Sequence, residues 1–576
     1  MPTNLFEIRA NKFNGGLDMN SDKNLSPEQI YSGQSLRFAR GTGIMTGPGF
    51  LQVARPTASD VRLDGSLATQ IFPCAWVKCG TKVYYAPAAL ALTFYDSGVT
   101  VTTSTETSFI EQSNGDVLMG NKTDAPLRFA IAKATVAIAA SDVTITVGAN
   151  QIGKFAASGN VVVNGDVIAY TGKSATALTG VTGIQTGGHV VNSLVIQSTN
   201  PTTWVEEKGH ILAQVEKRLL VAGVTDREGV VYYSAIEDLV NPEFFYDFDG
   251  NGSYAKELPG KVTAIITGVG GGYIFLQRGI HKILGFDIQT GGLLTQEISS
   301  AYGAYNYKCV IDMDGVVCFM GEGRFMPITL TLDTKAEVAP FLQEGFDHPI
   351  RPWLERHDGH TDQGDAYLKY DPMQKIVKMG AVVDGALETY PFDKQNPGFL
   401  PRENRNVGTS FFFLNKSYFG DRDNGRIYED DFGRTNNLTA VSHSISTGRI
   451  EYDKGRKYMK SKIFEYEGWM TKGTEHTLKI YVDGSATASV EKDFDDSLIT
   501  STKGKAIGTR GSGISTPGEL GGGVNVFPFK NKIILRGING DDFRFEWIVT
   551  GDGHFLQLNT WYFSANPTPR SPRTAS

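Results

Sequence analysis

"RLLVAGVTDREGVVYYS", residues 218–234, holds a short apolar strand, a polar turn containing Asp and Gly, and a second strand that ends in two tyrosines. Val, Leu and Tyr suit a pleated surface and the polar centre suits a turn, so the stretch reads as a β-hairpin. The same outline recurs upstream in "WVKCGTKVYYAP" (76–87) and "NGDVLMGNKTDAPLRF" (114–129). It returns downstream in "GGYIFLQRGIHKILG" (271–285), "MDGVVCFMGEGRFMPI" (313–328), "GDAYLKYDPMQKIVKMGAV" (364–382) and "SFFFLNKSYFGDRDNGRIYEDD" (410–431). From residue 218 onward the starts step by 53, 42, 51 and 46 residues. A period of ~40 to 50 residues with several short strands per unit is that of a β-propeller blade. A run of β-meanders in a large sandwich is the alternative.

The rest of the chain is β in character too. Residues 133–200 are almost all Val, Thr, Ala, Ser and Gly, with charge only at Lys133, Asp142, Lys154, Asp166 and Lys173. Alternation in "VTITV" and "NVVVNGDVIAYTG" marks strands with one buried face, so this span reads as a small β-domain inserted into a blade. Alternating strands resume from residue 436 in "KSKIFEYEGWM", "HTLKIYVDG" and "FRFEWIVT", which predict an antiparallel sandwich. The predicted organisation is an N-terminal arm or platform segment (1–65), first blades (66–132), the inserted domain (133–200), remaining blades (201–435), a C-terminal sandwich (436–565) and a flexible Pro/Ser tail (566–576). The fold class is therefore all-β: a β-propeller-like core, an inserted small β-domain and a C-terminal antiparallel β-domain.

Composition narrows the function. Sixty-six glycines in 576 residues fit many turns. A net charge of −7, spread along the chain, argues against a dedicated nucleic-acid gripper, which needs concentrated Lys and Arg. It suits a channel through which DNA slides without sticking. No apolar run approaches the ~18 to 20 residues of a membrane span, and the start lacks a secretory form, which predicts a soluble protein made in the cytoplasm. Four cysteines are too few for a disulfide scaffold. Cys309 and Cys318 flank a turn centred on Met313 and Asp314 that would set them opposite each other, as buried free thiols. No zinc spacing, phosphate loop or nucleophile motif occurs, and no cofactor is expected.

Several clusters invite a functional reading beside a plainer one. "DFDGNGSYAKEL" (247–258) places Asp247, Asp249 and Asn251 as a calcium loop would, but its twelfth position is Leu258, so a simple turn is the better reading. "RHDGHTDQGD" (356–365) gathers His357, Asp358, His360, Asp362 and Asp365, which a metal or acid/base pair would use, in a segment that otherwise reads as an exposed inter-blade loop. Asp312 with Asp314, and Asp430 with Asp431, are the acidic pairs that glycan cleavage would need, yet neither sits among sugar-stacking tryptophans. "RIEYDKGRKYMKSKIFEYEGW" (449–469) interleaves Arg456, Lys457, Lys460 and Lys462 with tyrosines. It reads either as a basic edge for an acidic partner or DNA phosphate, or as an edge strand kept from sticking by lysine.

The opening arm carries a resemblance. "FNGGLDMNSDKNLSPEQIYSGQSLRFARGTGIMTGPGF" (13–50) resembles the N-terminal signature of podovirus tail nozzle proteins, also called tail tubular protein B, and of packaged-DNA stabilisation tail hub proteins. The matching parts are the aromatic-Gly-Gly-Leu turn at Phe13 to Leu17, the strand at Ser32 to Phe38 and the Gly-rich close at Gly41 to Gly49. "KRLLVAGVTDREGVVYYSAIEDLVNPEFF" (217–245) looks like a blade of that family. The resemblance implies a virion part without an active site, assembled in the host cytoplasm. It implies a homohexameric ring below the portal and its adaptor ring, in contact with tail fibres or spikes, closing the DNA exit and opening for ejection. Packaged DNA would pass the lumen non-specifically. Phe13, Gly15, Gly16, Leu17 and Tyr31 would then belong to an arm touching a neighbouring subunit or the adaptor. The gating loop has no match. Two other classes remain beside this one: a glycan-depolymerising propeller, and a receptor- or glycan-binding propeller that grips through residues 133–200.

Overall fold

A computed structural model describes residues 6–10, 17–19, 29–39, 43–88, 92–103, 106–185, 187–199, 208–234, 255–268, 271–287, 290–332, 338–343, 345–356, 360–431, 435–436, 439–452, 457–501, 505–507, 524–549 and 555–569. Seven small sheets succeed one another along the middle of the chain, and their first strands stand side by side in a closed circle. Those inner strands are Leu63–Thr69, Thr107–Glu111, Ile211–Val215, Val262–Gly268, Val310–Met313, Tyr367–Asp371 and Val407–Phe413. The all-β, propeller-like fold read from the repeat is thus the fold of the molecule, and the seven quoted hairpins fall one in each blade.

Each blade hides one face against its neighbour. Trp76, Tyr85, Met119 and Phe129 fill the space between blades 1 and 2. Leu63, Val77, Phe411 and Ile427 do so between blades 7 and 1, and Tyr367, Val407, Phe419 and Tyr428 between blades 6 and 7. At the axis the inner strands approach so closely that only glycine fits in places. A Cβ at Gly65 would stand 2.8 Å from the Thr107 carbonyl oxygen, and one at Gly408 2.3 Å from that of Leu63.

Blade 7 is assembled from both ends of the propeller. Strands Val407–Phe413, Lys416–Asp421 and Ile427–Asp430 come from the end, and the fourth, Phe50–Ala54, comes from the arm. Its register sets Phe50 opposite Asp430, Leu51 opposite Glu429 and Ala54 opposite Ile427. Phe50 meets Phe419 and Tyr428 edge-on, with centroids 5.3 and 5.0 Å away.

The rest of the arm builds into the C-terminal sandwich. Phe6–Ala10 pairs with Leu556–Pro569, and Leu36–Ala39 and Gly43–Thr46 extend the same sheet, while Ile30–Gln34 joins the facing sheet through His443–Thr447. The two sheets enclose Phe464, stacked on Phe545 at 3.9 Å, with Trp547 and Trp561 fully buried beside them. One core runs on without a break into blades 5 and 6 through Leu17, Phe325, Trp353, Phe392 and Phe399. The predicted tail needs correction: the last strand extends to Pro569, which pairs with Lys457, so residues 566–569 are held by a ladder.

The insertion lies between the third and fourth strands of blade 2, Leu127–Lys133 and Leu194–Thr199. Residues 194–199 therefore belong to the blade rather than to the inserted domain. Strands Gly159–Val163 and Asp166–Tyr170 widen that blade's sheet to six strands, and Ile138, Ile145, Phe155, Val161, Ile168 and Leu178 form a separate small core. All four cysteines are free and buried, but Cys318 faces Ile311 rather than Cys309, because the turn forms at Asp314-Gly315 with both φ angles positive. Among the described residues no helix is long and apolar enough to cross a membrane.

A buried histidine, His476, titrates within the sandwich core. His476 Nε2 lies 2.7 Å from the Tyr466 hydroxyl, which accepts from Asn531 Nδ2 at 2.8 Å. Burial holds the His476 pKa down to about 4, against an opposing pull from Asp495. With the folded value below the unfolded one, its contribution is full above pH 6.5 and is lost as pH falls toward 4. That is on the order of 3 kcal/mol at ~1.4 kcal/mol per unit. We expect His476→Gln to flatten the fall in stability over this range, measured by urea midpoints at pH 7 and pH 4.5; an unchanged slope would show that the imidazole is not responsible.

Candidate functional site

Because the inner strands run in one sense, the residues just before them gather on one face of the propeller around its axis. Arg62, Glu106, His210, Lys261, Lys308, Asp365 and Asn406 all hold such positions. Asp365 is the one member of the His/Asp-rich segment whose side-chain partners are described. It is no free turn residue: it pairs with Arg62 from blade 1 and with Arg422 from blade 7 at 3.2 Å. Those two cations outweigh the effect of burial and hold its carboxyl below the usual range.

The connection "GAYNYKC" (303–309) between blades 4 and 5 plugs this face. Asn306 caps the short 3-10 turn Tyr307–Cys309 by accepting from the Lys308 N–H at 2.7 Å, and its amide donates to Gln363 and Ala366 in front of blade 6. The Tyr307 hydroxyl donates to the Thr107 carbonyl at 2.8 Å and accepts from its N–H at 3.1 Å, on blade 2. Lys308 Nζ donates to the Gly408 carbonyl on blade 7 at 3.0 Å. Beneath the plug is a cavity of about 250 Å³, lined by polar and apolar residues of all seven inner strands.

Beside it, His210 is buried with Nδ1 3.0 Å from the Gly223 carbonyl and Nε2 3.8 Å from Glu106. Burial lowers its pKa against the opposing pull of Glu106, and its Nδ1–H donates to that carbonyl. Glu106 is held ionised by His210 and Lys122, which overcome its partial burial. Such a pair could relay a proton, but the two groups are not within hydrogen-bond reach of each other. Among the described residues no group of three His, Cys, Asp or Glu could hold a metal ion.

A second polar centre locks the arm to blades 6 and 7. Arg37, Lys369, Lys378 and Arg405 meet Glu403, Asp430 and Asp431, all buried. Arg37 binds Glu403 and Asp431; Lys378 reaches Asp430 at 2.7 Å and Asp431 at 2.8 Å; Arg405 reaches Asp430 at 2.8 Å. Arg405 also donates to the Pro48 and Gly49 carbonyls and lies 4.8 Å above the Phe50 ring. Asp430 and Asp431 are thus structural, sealed from any substrate. Asp314 is likewise committed, to Tyr370, Lys375 and Lys394.

Of the arm residues singled out in the sequence, Leu17 is buried in the chain's own core, its N–H donating to the Phe399 carbonyl at 2.8 Å, and Tyr31 is partly buried in the strand Ile30–Gln34. Phe13, Gly15 and Gly16 lie outside the described residues, as do Arg456, Asp247, Asp249 and Asn251. The basic edge needs correction. Lys457, Lys460 and Lys462 belong to the strand Lys457–Thr471, which pairs on both sides, so Lys460 and Lys462 are exposed on the outer face of a central strand. Sequence reading missed Arg37, Tyr307 and Lys308. Their signal was a charged or aromatic polar residue set against an inner strand or inside an apolar one, as in "SLRFA".

No protein-family model matches the chain, and no curated protein does. Some solved structures are similar to it at low identity and low score. The selenomethionine-substituted virginiamycin B lyase from Staphylococcus aureus is 10% identical, covering 65% of this chain and 97% of its own, with a TM-score of 0.34. A streptogramin B lyase is 11% identical over 66% of this chain and 95% of its own, TM-score 0.33, and the Dos1 propeller 10% over 69% and 92%, TM-score 0.32. At these values nothing about activity transfers.

Within the charge cluster the lysines are unequal. Burial opposes the charge on Lys378, but three carboxylates outweigh it and hold its pKa above normal, whereas burial leaves Lys369 below normal. Lys378→Met is therefore expected to cost about 3–5 kcal/mol, by removing a cation that touches all three buried carboxylates. Lys369→Met, which removes the surplus cation, should cost clearly less. Urea unfolding at pH 7 decides; equal losses would refute the ranking.

Proposed function

We propose that this chain is a structural subunit of a bacteriophage tail, a nozzle or hub protein that forms a homo-oligomeric ring around the DNA exit. It acts by shape and contact and catalyses no reaction. The observation that carries the reading is the surface of the insertion. Of its four charges, Lys154 is spent on Asp116 at 3.0 Å, and Asp166 lies 3.1 Å from His189. Val136, Val143, Val167, Val190 and Val191 are 48–67% exposed on it. Exposed apolar side chains on a module fixed firmly to a blade suit burial against another subunit. The resemblance of the arm to nozzle proteins agrees with this.

In this reading DNA runs between subunits, since the propeller's own axis is plugged by Tyr307 and Lys308. The mild negative charge favours passage without sticking. Ring closure requires unlike faces in contact, and blade, insertion and sandwich supply such faces. The portal-side adaptor and the fibres or spikes would be the remaining partners. A receptor- or glycan-binding role through the insertion is the rival reading, and the same exposed valines serve it.

Two measurements test the proposal. The mass of the purified protein, alone and with its adaptor ring, should give a closed ring, with six subunits expected; a monomer that ignores the adaptor would refute it. Replacing residues 134–193 by a short Gly-Ser linker should weaken ring assembly and leave adsorption to host cells largely intact in virions that still form. Loss of adsorption with normal rings would favour the rival.

A further inference from the structure

We propose that the axial cavity of the propeller is a binding site for a small oxyanion, a phosphate or carboxylate, gripped by the Lys308 ammonium and the Thr107 hydroxyl. The site goes beyond the ring reading and does not depend on it. The first observation is an unanswered charge. Lys308 lines the cavity and donates to the Gly408 carbonyl, but among the described residues no carboxylate lies within ion-pair distance of its ammonium. The nearby acids are engaged elsewhere: Asp365 by Arg62 and Arg422, and Asp64 by Arg62 and by Lys78 at 3.0 Å. Arg62, Lys78, Lys308 and Arg422 thus face Asp64 and Asp365 with a positive surplus. Asp423, 3.7 Å from Arg422, has a side chain 68% exposed and belongs to the solvent side.

The second observation is independent of charge. Thr107 is wholly buried and lines the same cavity, yet its Oγ1 has no hydrogen-bond partner. A buried hydroxyl without a partner is unfavourable, and an oxyanion supplies the missing acceptor. Burial, with Arg62 adding to it, lowers Lys308 to about 8, which is the behaviour of an ammonium short of a counter-ion. Glu106, the residue before Thr107, would repel an anion, but it is neutralised by Lys122 at 3.1 Å. At about 250 Å³ the cavity admits a phosphate with several waters at ~30 Å³ each.

The test is the thermal midpoint of the full chain in inorganic phosphate, with ionic strength held constant by chloride. A ligand of the folded state raises the midpoint by mass action. The expected result is a rise that saturates, an apparent affinity about tenfold weaker in Lys308→Met and a few-fold weaker in Thr107→Val, equivalent to about 1.4 kcal/mol for the former. Lys308→Arg should keep the response. Should Lys308→Met fail to fold, Thr107→Val, which preserves shape, carries the comparison. No phosphate-dependent rise in the wild type, or an undiminished rise in the variants, overturns the proposal. A rise with a short single-stranded oligonucleotide but none with inorganic phosphate also overturns it, by making the ligand a DNA backbone.

Discussion

The structure depends on one strand being in the right place. A propeller is a circle of blades that each need two neighbours, and a circle drawn from one chain must be fastened where it begins and ends. Here the fastening is Phe50–Ala54, hydrogen-bonded to Ile427–Asp430 as the fourth strand of blade 7, with Thr435–Asn436 pairing on its far side. Backbone pairing alone would leave a short and frayable ladder. Arg405 secures it, holding the two carbonyls just before the strand, covering the Phe50 ring and pairing with Asp430. Arg37, from the strand of the arm that belongs to the sandwich, enters the same buried centre through Glu403 and Asp431. Closure of the propeller and seating of the sandwich therefore share one buried charge centre. The centre is also the acid-sensitive part of the lock. Burial would raise the Glu403 pKa, but Arg37, Lys378 and Arg405 hold it down to about 2, so its contribution is complete above about pH 4.5 and fails only toward pH 2.

A consequence is that the arm, expected from its resemblance to reach a neighbour or the adaptor, is largely occupied within its own chain. Four of its strands belong to the sandwich and a fifth to blade 7. Surfaces left for contact lie elsewhere, above all on the insertion with its exposed valines. Unlike faces of blade, insertion and sandwich remain available, while the propeller's own axis is stopped by Tyr307 and Lys308. This division of labour fits a ring in which the passage is made by several copies.

Much of the fold was legible because the signals were local. Paired strands with Asp/Asn/Gly turns at a steady period gave the blades, and a sudden loss of charge gave the insertion. Spacing could not show where the insertion ends, since Leu194–Thr199 carries the same Val/Ile character whether it pairs with the blade or with the inserted strands. The two-residue shift between Cys309 and Cys318 escaped because a hairpin's register follows from its turn, and an Asp-Gly pair at 314–315 moves the turn by one residue. The lysines at 460 and 462 looked like edge protection because alternation is identical in edge and central strands; only the partners on each side tell them apart. The polar centres were least legible. Arg37, Asp365, Asp430 and Lys308 draw their meaning from residues hundreds of positions away, and no periodicity records such pairs.

Each chain closes its own propeller through the ladder between Phe50–Ala54 and Ile427–Asp430. Leu51 and Glu429 are direct partners across the closing ladder, and antiparallel partners stand ~4.5–5.5 Å apart at Cα, within reach of a disulfide. The decisive measurement is to oxidise the assembled protein carrying cysteines at both positions and run it denatured without reductant. A single band of one-chain mass, cross-linked within itself, is expected. A ladder of covalent oligomers would show that the strand is exchanged between subunits and would contradict closure within one chain.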